Sequence, residues 1–202
     1  MNANNFFNPQ SPQSPLSPLV GDLEGYPFSF FRAPITNIKP HIHTTLRHIY
    51  NAIIGNHYKE RTQKLRAITD TATARKFKAS NFDYCTFSGT FTTRSDKALI
   101  KHSGLLCLDF DHLNNIETLF NQLLNDEYFD TQLLFRSPSG NGLKWIIPID
   151  TTQTTHGDYF AAVSNYIKAT YNIEVDKSGK DISRACFLSH DPQAYINPLI
   201  LK

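Results

Sequence analysis

Asp109 and Asp111 stand one residue apart at the end of the apolar run Leu105-Leu106-Cys107-Leu108. Side chains alternate along a β-strand, so the two carboxylates share one face and Phe110 takes the other. Carboxylates that close repel unless a cation lies between them, and hard divalent ions such as Mg²⁺ or Mn²⁺ prefer oxygen ligands. Such pairs serve polymerases and nucleases, where two metal ions roughly 3.5–4 Å apart stabilise the attacking and leaving oxygens. The same spacing also suits a polar strand end or turn, so the pair alone implies no chemistry.

Two further segments add candidates. Ser139, Gly140, Asn141 and Gly142 lie in a polar loop whose glycines permit positive φ and can turn N–H groups inward as a nest for phosphate. Lys144, two residues on, offers the positive charge that a triphosphate needs; the competing reading is a hairpin turn with an exposed lysine. In the stretch from Val175 to Arg184, either Asp176 or Asp181 could complete a metal site, and Arg184 could grip phosphate bidentately. The alternative there is a solvated loop with local Asp–Lys pairs, each worth little. Asp191-Pro192 either lines the same edge or begins a turn. His190 has no second histidine at ligand spacing and is not counted among the candidate ligands.

The elements that must position these residues follow from periodicity. Phe28–Phe31 reads as a short strand. Leu46, Ile49, Ile53 and Ile54 have helical spacing behind Thr44 or Thr45 as a cap, and Gly55-Asn56 is a stop. One helix is predicted from about Lys59 to Ala79, with Leu65, Ile68, Ala72 and Phe77 inward and a basic outer face. Strands follow at 83–87, 105–108, 131–135, 143–149 and 185–188, with extended chain at 90–93 and helices at 113–125 and 155–171. The run at 105–108 has the continuous apolar character of a strand covered on both faces. This order predicts an α+β or α/β fold with polar residues gathered at strand ends.

Charge is unevenly placed. Residues 46–102 hold eleven Lys/Arg against four Asp/Glu, and residues 103–202 hold seven against twelve. A basic front half beside an acidic back half suits a protein that holds a polyanion near a carboxylate-bound cation. Residues 1–25, rich in Asn, Pro, Ser and Gln, predict a disordered tail. Cys85, Cys107 and Cys186 lie too far apart in sequence for a disulfide framework or zinc spacing and read as buried thiols. No apolar run approaches the ~18 residues of a membrane span. The N-terminus lacks a secretory signal, which predicts a cytoplasmic protein.

In combination the segments resemble a known family. An Asp-x-Asp at a strand end, a Ser-x-Gly-x-Gly-type turn between strands, and an Asp ahead of an Arg-containing strand follow the motif order of archaeo-eukaryotic primases and primase-polymerases. More closely, about residues 53–197 resemble the primase-like N-terminal domain of virulence-associated E-type (VirE-type) proteins of bacterial mobile elements, which often carry a helicase further along. The residues behind the resemblance are Thr86–Phe91, His102–Asp111, Ser139–Lys144 and Arg184–Pro192.

The resemblance implies an α+β, primase-like fold over residues 26–202, a modified RNA-recognition-like sheet packed with helices beside a smaller α/β unit. A basic N-terminal unit would span about 26–100 and the catalytic motifs 101–202. It implies Mg²⁺ or Mn²⁺ on Asp109, Asp111 and Asp176, with Asp181 as second choice for the third carboxylate. Ser139, Gly140, Asn141, Gly142, Lys144 and Arg184 would bind a nucleoside triphosphate; Lys64, Arg75, Lys76, Lys78 and Arg94 would follow a single-stranded DNA template. Lys144 stands where the superfamily usually has a histidine, and a lysine is a point charge without imidazole geometry. That departure carries a second reading, a weak or inactive module that binds nucleic acid and positions a helicase. A metal-dependent nuclease is a third.

Overall fold

The computed structural model of the chain describes residues 26–202, and the tail reading of residues 1–25 lies outside them. In chain order the elements are β1 (Phe28–Phe31), β2 (Ile42–Thr44), α1 (Leu46–Ile54), α2 (Lys59–Ala67), α3 (Thr71–Asn81), β3 (Tyr84–Thr86), β4 (Gly89–Phe91), β5 (Leu99–His102), β6 (Leu105–Phe110), α4 (Ile116–Leu124), β7 (Leu133–Arg136), β8 (Leu143–Pro148), α5 (His156–Tyr171), β9 (Cys186–Phe187) and β10 (Tyr195–Ile196). The fold is mixed α+β, and every strand pairing is antiparallel. Among the described residues, no helix is long and apolar enough to cross a membrane.

The strands form two four-stranded sheets, ordered β2-β1-β3-β9 and β10-β7-β8-β6, and a hairpin of β4 and β5. One core lies between the sheets and against α1. It holds Phe28, Cys85 and Cys186 of the first sheet, Leu105, Phe135 and Ile146 of the second, and Leu46, Ile49 and Ile53 of α1. A second core fills the other face of the second sheet, where Leu106, Leu108, Phe110, Trp145 and Ile147 meet Leu119 and Leu123 of α4 and Phe160, Val163 and Ile167 of α5. Both faces of β6 are thus covered, as its unbroken apolar run predicts.

Two sequence expectations change. The single helix over 59–79 is two helices broken at Ile68-Thr69-Asp70, because Asp70 accepts the Thr73 N–H at 2.7 Å and caps a new start. The cap satisfies a helix-end donor that continuous helix would not need satisfied. The sequence division near residue 100 does not separate the two sheets either. β9, from the C-terminal part of the chain, pairs with β3 of the first sheet through Tyr84↔Phe187 and Cys85↔Cys186.

The chain also closes on itself through Asp191, which is 3% exposed. Its carboxylate accepts the Arg136 N–H at 2.7 Å and the Arg136 guanidinium at 3.0 Å, tying the end of β7 to the segment after β9. Asp191 is a buried structural anchor as well as the start of a turn, since the Ala194 N–H donates to its carbonyl.

Candidate metal and phosphate site

Along one face of β6 the side chains run Leu105, Cys107, Asp109: the face that is apolar between the sheets becomes acidic where that core ends. Phe110 is fully buried on the opposite face. Register sets the rest. Asp109 pairs across the sheet with Lys144 of β8, so both side chains project from one face and the ammonium lies directly on Asp109 Oδ1. The third carboxylate comes from far along the chain. The Asp176 N–H donates to the Asp109 carbonyl at 2.9 Å, which pins the turn Lys177–Lys180 beside the end of β6.

Asp109, Asp111 and Asp176 thereby offer oxygens that all lie within 4.8 Å of one another. Asp181 lines the adjoining cleft but is outside this group, so the choice left open by spacing falls on Asp176. The donor set, three converging carboxylates, fits a hard divalent cation such as Mg²⁺ or Mn²⁺.

The cleft beside the cluster holds about 360 Å³. Asp109, Asp111 and Asp181 supply its acidic side; Lys78, Arg94, Lys144 and Arg184 supply its basic side; Ile35, Ala185 and Phe187 form apolar wall. Arg184 donates to Asp176 Oδ2 at 3.0 Å. Lys78 lies 5.7 Å from the centre of the Phe187 ring, and Arg94 5.2 Å from that of Tyr84. Arg94 Nε is buried without a hydrogen-bond partner among the described residues.

Electrostatics reinforce this polarity. Burial pushes the Asp109 carboxyl up, while Lys144 opposes it. Burial acts against the Lys144 charge, but Asp109, Cys186 and Asp111 outweigh it and hold the ammonium above the ordinary lysine value. Burial would raise Asp176 too, yet Ser178 and Arg184 hold it below the ordinary carboxylate value. Lys78 is pulled down by burial and by Lys144.

The remaining predicted residues fall elsewhere. Ser139, Gly140, Asn141 and Gly142 close a tight hairpin: Gly140 has φ +82° and its N–H donates to the Ser137 carbonyl at 2.9 Å. None of the four lines the cleft, and that N–H is already used. The loop acts from behind. A Cβ on Gly142 would lie 2.2 Å from the Phe110 carbonyl oxygen and 3.3 Å from Asp111 Oδ1. Gly142→Ala is therefore expected to cost about 1–3 kcal/mol by overpacking and to displace Asp111. Urea unfolding and Mn²⁺ affinity, measured side by side, check both effects.

The basic surface is partly spent inside the fold. Arg66 donates to the carbonyls of Ser137 and Pro138 and clamps the hairpin, and Arg61 bonds Asn81 and Asp83. Lys64 pairs with Glu60 at 2.7 Å. Arg75 and Lys76 are exposed on α3, and only Lys78 and Arg94 of the predicted template contacts reach the cleft.

A histidine relay, which spacing did not reveal, supports the Asp176 turn. The Gly104 N–H donates to His102 Nδ1 at 2.9 Å, so the neutral ring carries its proton on Nε2. That proton is directed to His156 Nδ1 at 3.1 Å, and His156 Nε2–H to the Gly179 carbonyl at 3.3 Å. Burial, with His156 nearby, lowers the His102 pKa to about 4, and burial also lowers His156 despite Asp96 and Asp181. Both pKa values lie below the unfolded value of roughly 6.5, so the unfolded chain binds more protons between about pH 6.5 and pH 4. This contribution to stability is complete above that window and is lost as pH falls through it. Urea midpoints from pH 7.5 to 4.5 should fall, and the fall should be shallower in His102→Gln/His156→Gln.

Comparison with known proteins gives one finding. No curated protein and no solved structure matches the chain. Residues 76–196 match the family model for the BT4734-like N-terminal domain, a span that includes every cleft residue named above except Ile35. With more than half of its length matched, the chain belongs to the BT4734-like N-terminal domain family.

Proposed function

We propose that this chain is a metal-dependent nucleotidyltransferase of the primase or primase-polymerase type, acting in replication or mobilisation of a mobile element. The observation that carries the reading is the convergence of Asp109, Asp111 and Asp176 beside a cleft walled by Lys78, Arg94, Lys144 and Arg184. One pole suits a divalent cation and the other a polyphosphate, which is the charge pattern a nucleoside triphosphate presents once a metal ion is bound to it. The resemblance of the motif order to that of primases and VirE-type domains supports a primase-like fold and a single-stranded DNA template.

In this reading Asp109, Asp111 and Asp176 hold Mg²⁺ or Mn²⁺. Bound there, such an ion would polarise the phosphoryl group and favour the deprotonated form of the attacking 3′-hydroxyl. Arg184 and Arg94 grip phosphate oxygens, and Lys78, beside Phe187, adds charge at the cleft wall. The Lys144 ammonium, anchored on Asp109, offsets negative charge where the phosphate approaches. Arg75 and Lys76 continue the basic surface outward for the template backbone.

Lys144 favours a second reading. Because its ammonium already occupies Asp109, the cluster is neutralised in part without metal, as a binding module that positions a helicase would need. A nuclease would use the same carboxylates without the cationic wall for a triphosphate. The deciding experiment is primer synthesis and extension on single-stranded DNA with Mg²⁺ or Mn²⁺ and labelled nucleotides. Template-dependent product is expected. A folded, DNA-binding protein that makes none sinks the polymerase reading, and strand cleavage without synthesis selects the nuclease.

A further inference from the structure

We propose that Lys144 stands in for one of two metal ions, so that the aspartate cluster takes a single divalent cation, held by Asp111, Asp176 and the free oxygen of Asp109. This rests on the reading of the cluster as a metal site and goes beyond it in stoichiometry and in the role of one residue.

The lysine is fixed by the sheet. β8 lies between β7 and β6, and Lys144 is opposite Asp109 on one side and Phe135 on the other. Its side chain is 8% exposed, and its ion-pair partner is Asp109 Oδ1. Moving the ammonium away would strand two buried charges, a far larger cost than any surface pair incurs. It is therefore part of the site.

The acceptor inventory then limits what else can enter. Asp111 is exposed and forms no ion pair among the described residues. Asp176 accepts the Ser178 N–H on Oδ1 and Arg184 on Oδ2. Each carboxylate oxygen has two acceptor positions, so Asp176 keeps capacity for a metal ion, as does Asp109 Oδ2. Those donors can surround one ion. A second ion at the cluster would have to share Asp109 with the Lys144 ammonium, which already bonds its Oδ1. Like charges that close repel strongly in a partly buried site. Three carboxylates with two bonded cations, Lys144 and Arg184, carry one net negative charge. One divalent ion takes the cluster to +1 and two take it to +3. The first is readily balanced by an incoming phosphate.

The test is Mn²⁺ titration of the purified chain, following free Mn²⁺ by electron paramagnetic resonance. Binding that survives Asp111→Asn is subtracted. Wild type is expected to bind one Mn²⁺ per chain at the cluster, and Lys144→Met to bind two. Two ions in wild type, or one in a folded Lys144→Met, overturn the role given to Lys144 while leaving the metal site standing. No Mn²⁺ in either protein overturns the metal reading itself. Should Lys144→Met fail to fold, the wild-type stoichiometry still decides, and Lys144→Arg, which keeps the charge, must also bind one.

Discussion

In the proposed reaction, Asp111→Asn is expected to lose nucleotidyl transfer by roughly 10²- to 10⁴-fold while the fold stays intact. The size follows from the several kcal/mol of transition-state stabilisation that a bound metal supplies, at a factor of ten per roughly 1.36 kcal/mol. Asp111 is the clean probe. It is exposed and carries no ion pair among the described residues, so an amide there removes a ligand charge and little else. Asp109 behaves differently because it neutralises Lys144. Asp109→Asn or Asp109→Ala strands a buried ammonium and is expected to cost about 3–5 kcal/mol of stability in addition to activity. Primer extension at a temperature well below each variant's unfolding midpoint, with circular dichroism as the fold control, separates the two effects. Activity equal to wild type in folded Asp111→Asn would remove the cluster from the chemistry.

The second large effect lies away from the cleft. Asp191→Ala is expected to destabilise the protein by about 3–5 kcal/mol, because it breaks a buried ion pair from one side. At about 2–4 °C per kcal/mol for a chain of this size, Tm should fall by roughly 6–20 °C. Two hydrogen bonds from Arg136 end on this carboxylate, one from its backbone and one from its guanidinium. The guanidinium would keep only Glu117, whose side chain is 67% exposed, and its place over the Phe120 ring. Arg136→Met/Asp191→Leu should recover much of the loss, since replacing both charges leaves neither buried alone. Mn²⁺ binding by the folded protein at low temperature should be unchanged, because Asp191 is not among the residues lining the cleft. A drop below about 1 kcal/mol would mean that the 188–194 segment is held mainly by its apolar contacts.

Several parts of the site were legible in local pattern. The apolar run before Asp109 announced a strand covered on both faces, and alternation placed Phe110 opposite the two carboxylates, as the second core requires. Helical spacing located α1, α4 and α5. The break between α2 and α3 also had a local signal, an Asp ahead of a polar helix start, which the run of basic residues on both sides masked.

What alternation and periodicity report is which face of a segment is apolar; they do not say which segment covers it. Pairings between distant segments were therefore beyond local pattern. Three cysteines scattered through the sequence converge, with Cys85 beside Cys186 across the β3–β9 pairing and Cys107 packed against the same core. The choice of Asp176 over Asp181 rests on one backbone hydrogen bond to Asp109. The His102–His156–Gly179 relay joins residues up to 77 positions apart, as their numbers show. The sequence by itself determined that Asp109 and Asp111 share one face of β6 with Phe110 on the other. Only the tertiary structure decided that Lys144 meets Asp109, because that contact depends on the register of two strands, and one residue of slip would have turned the lysine to the opposite face.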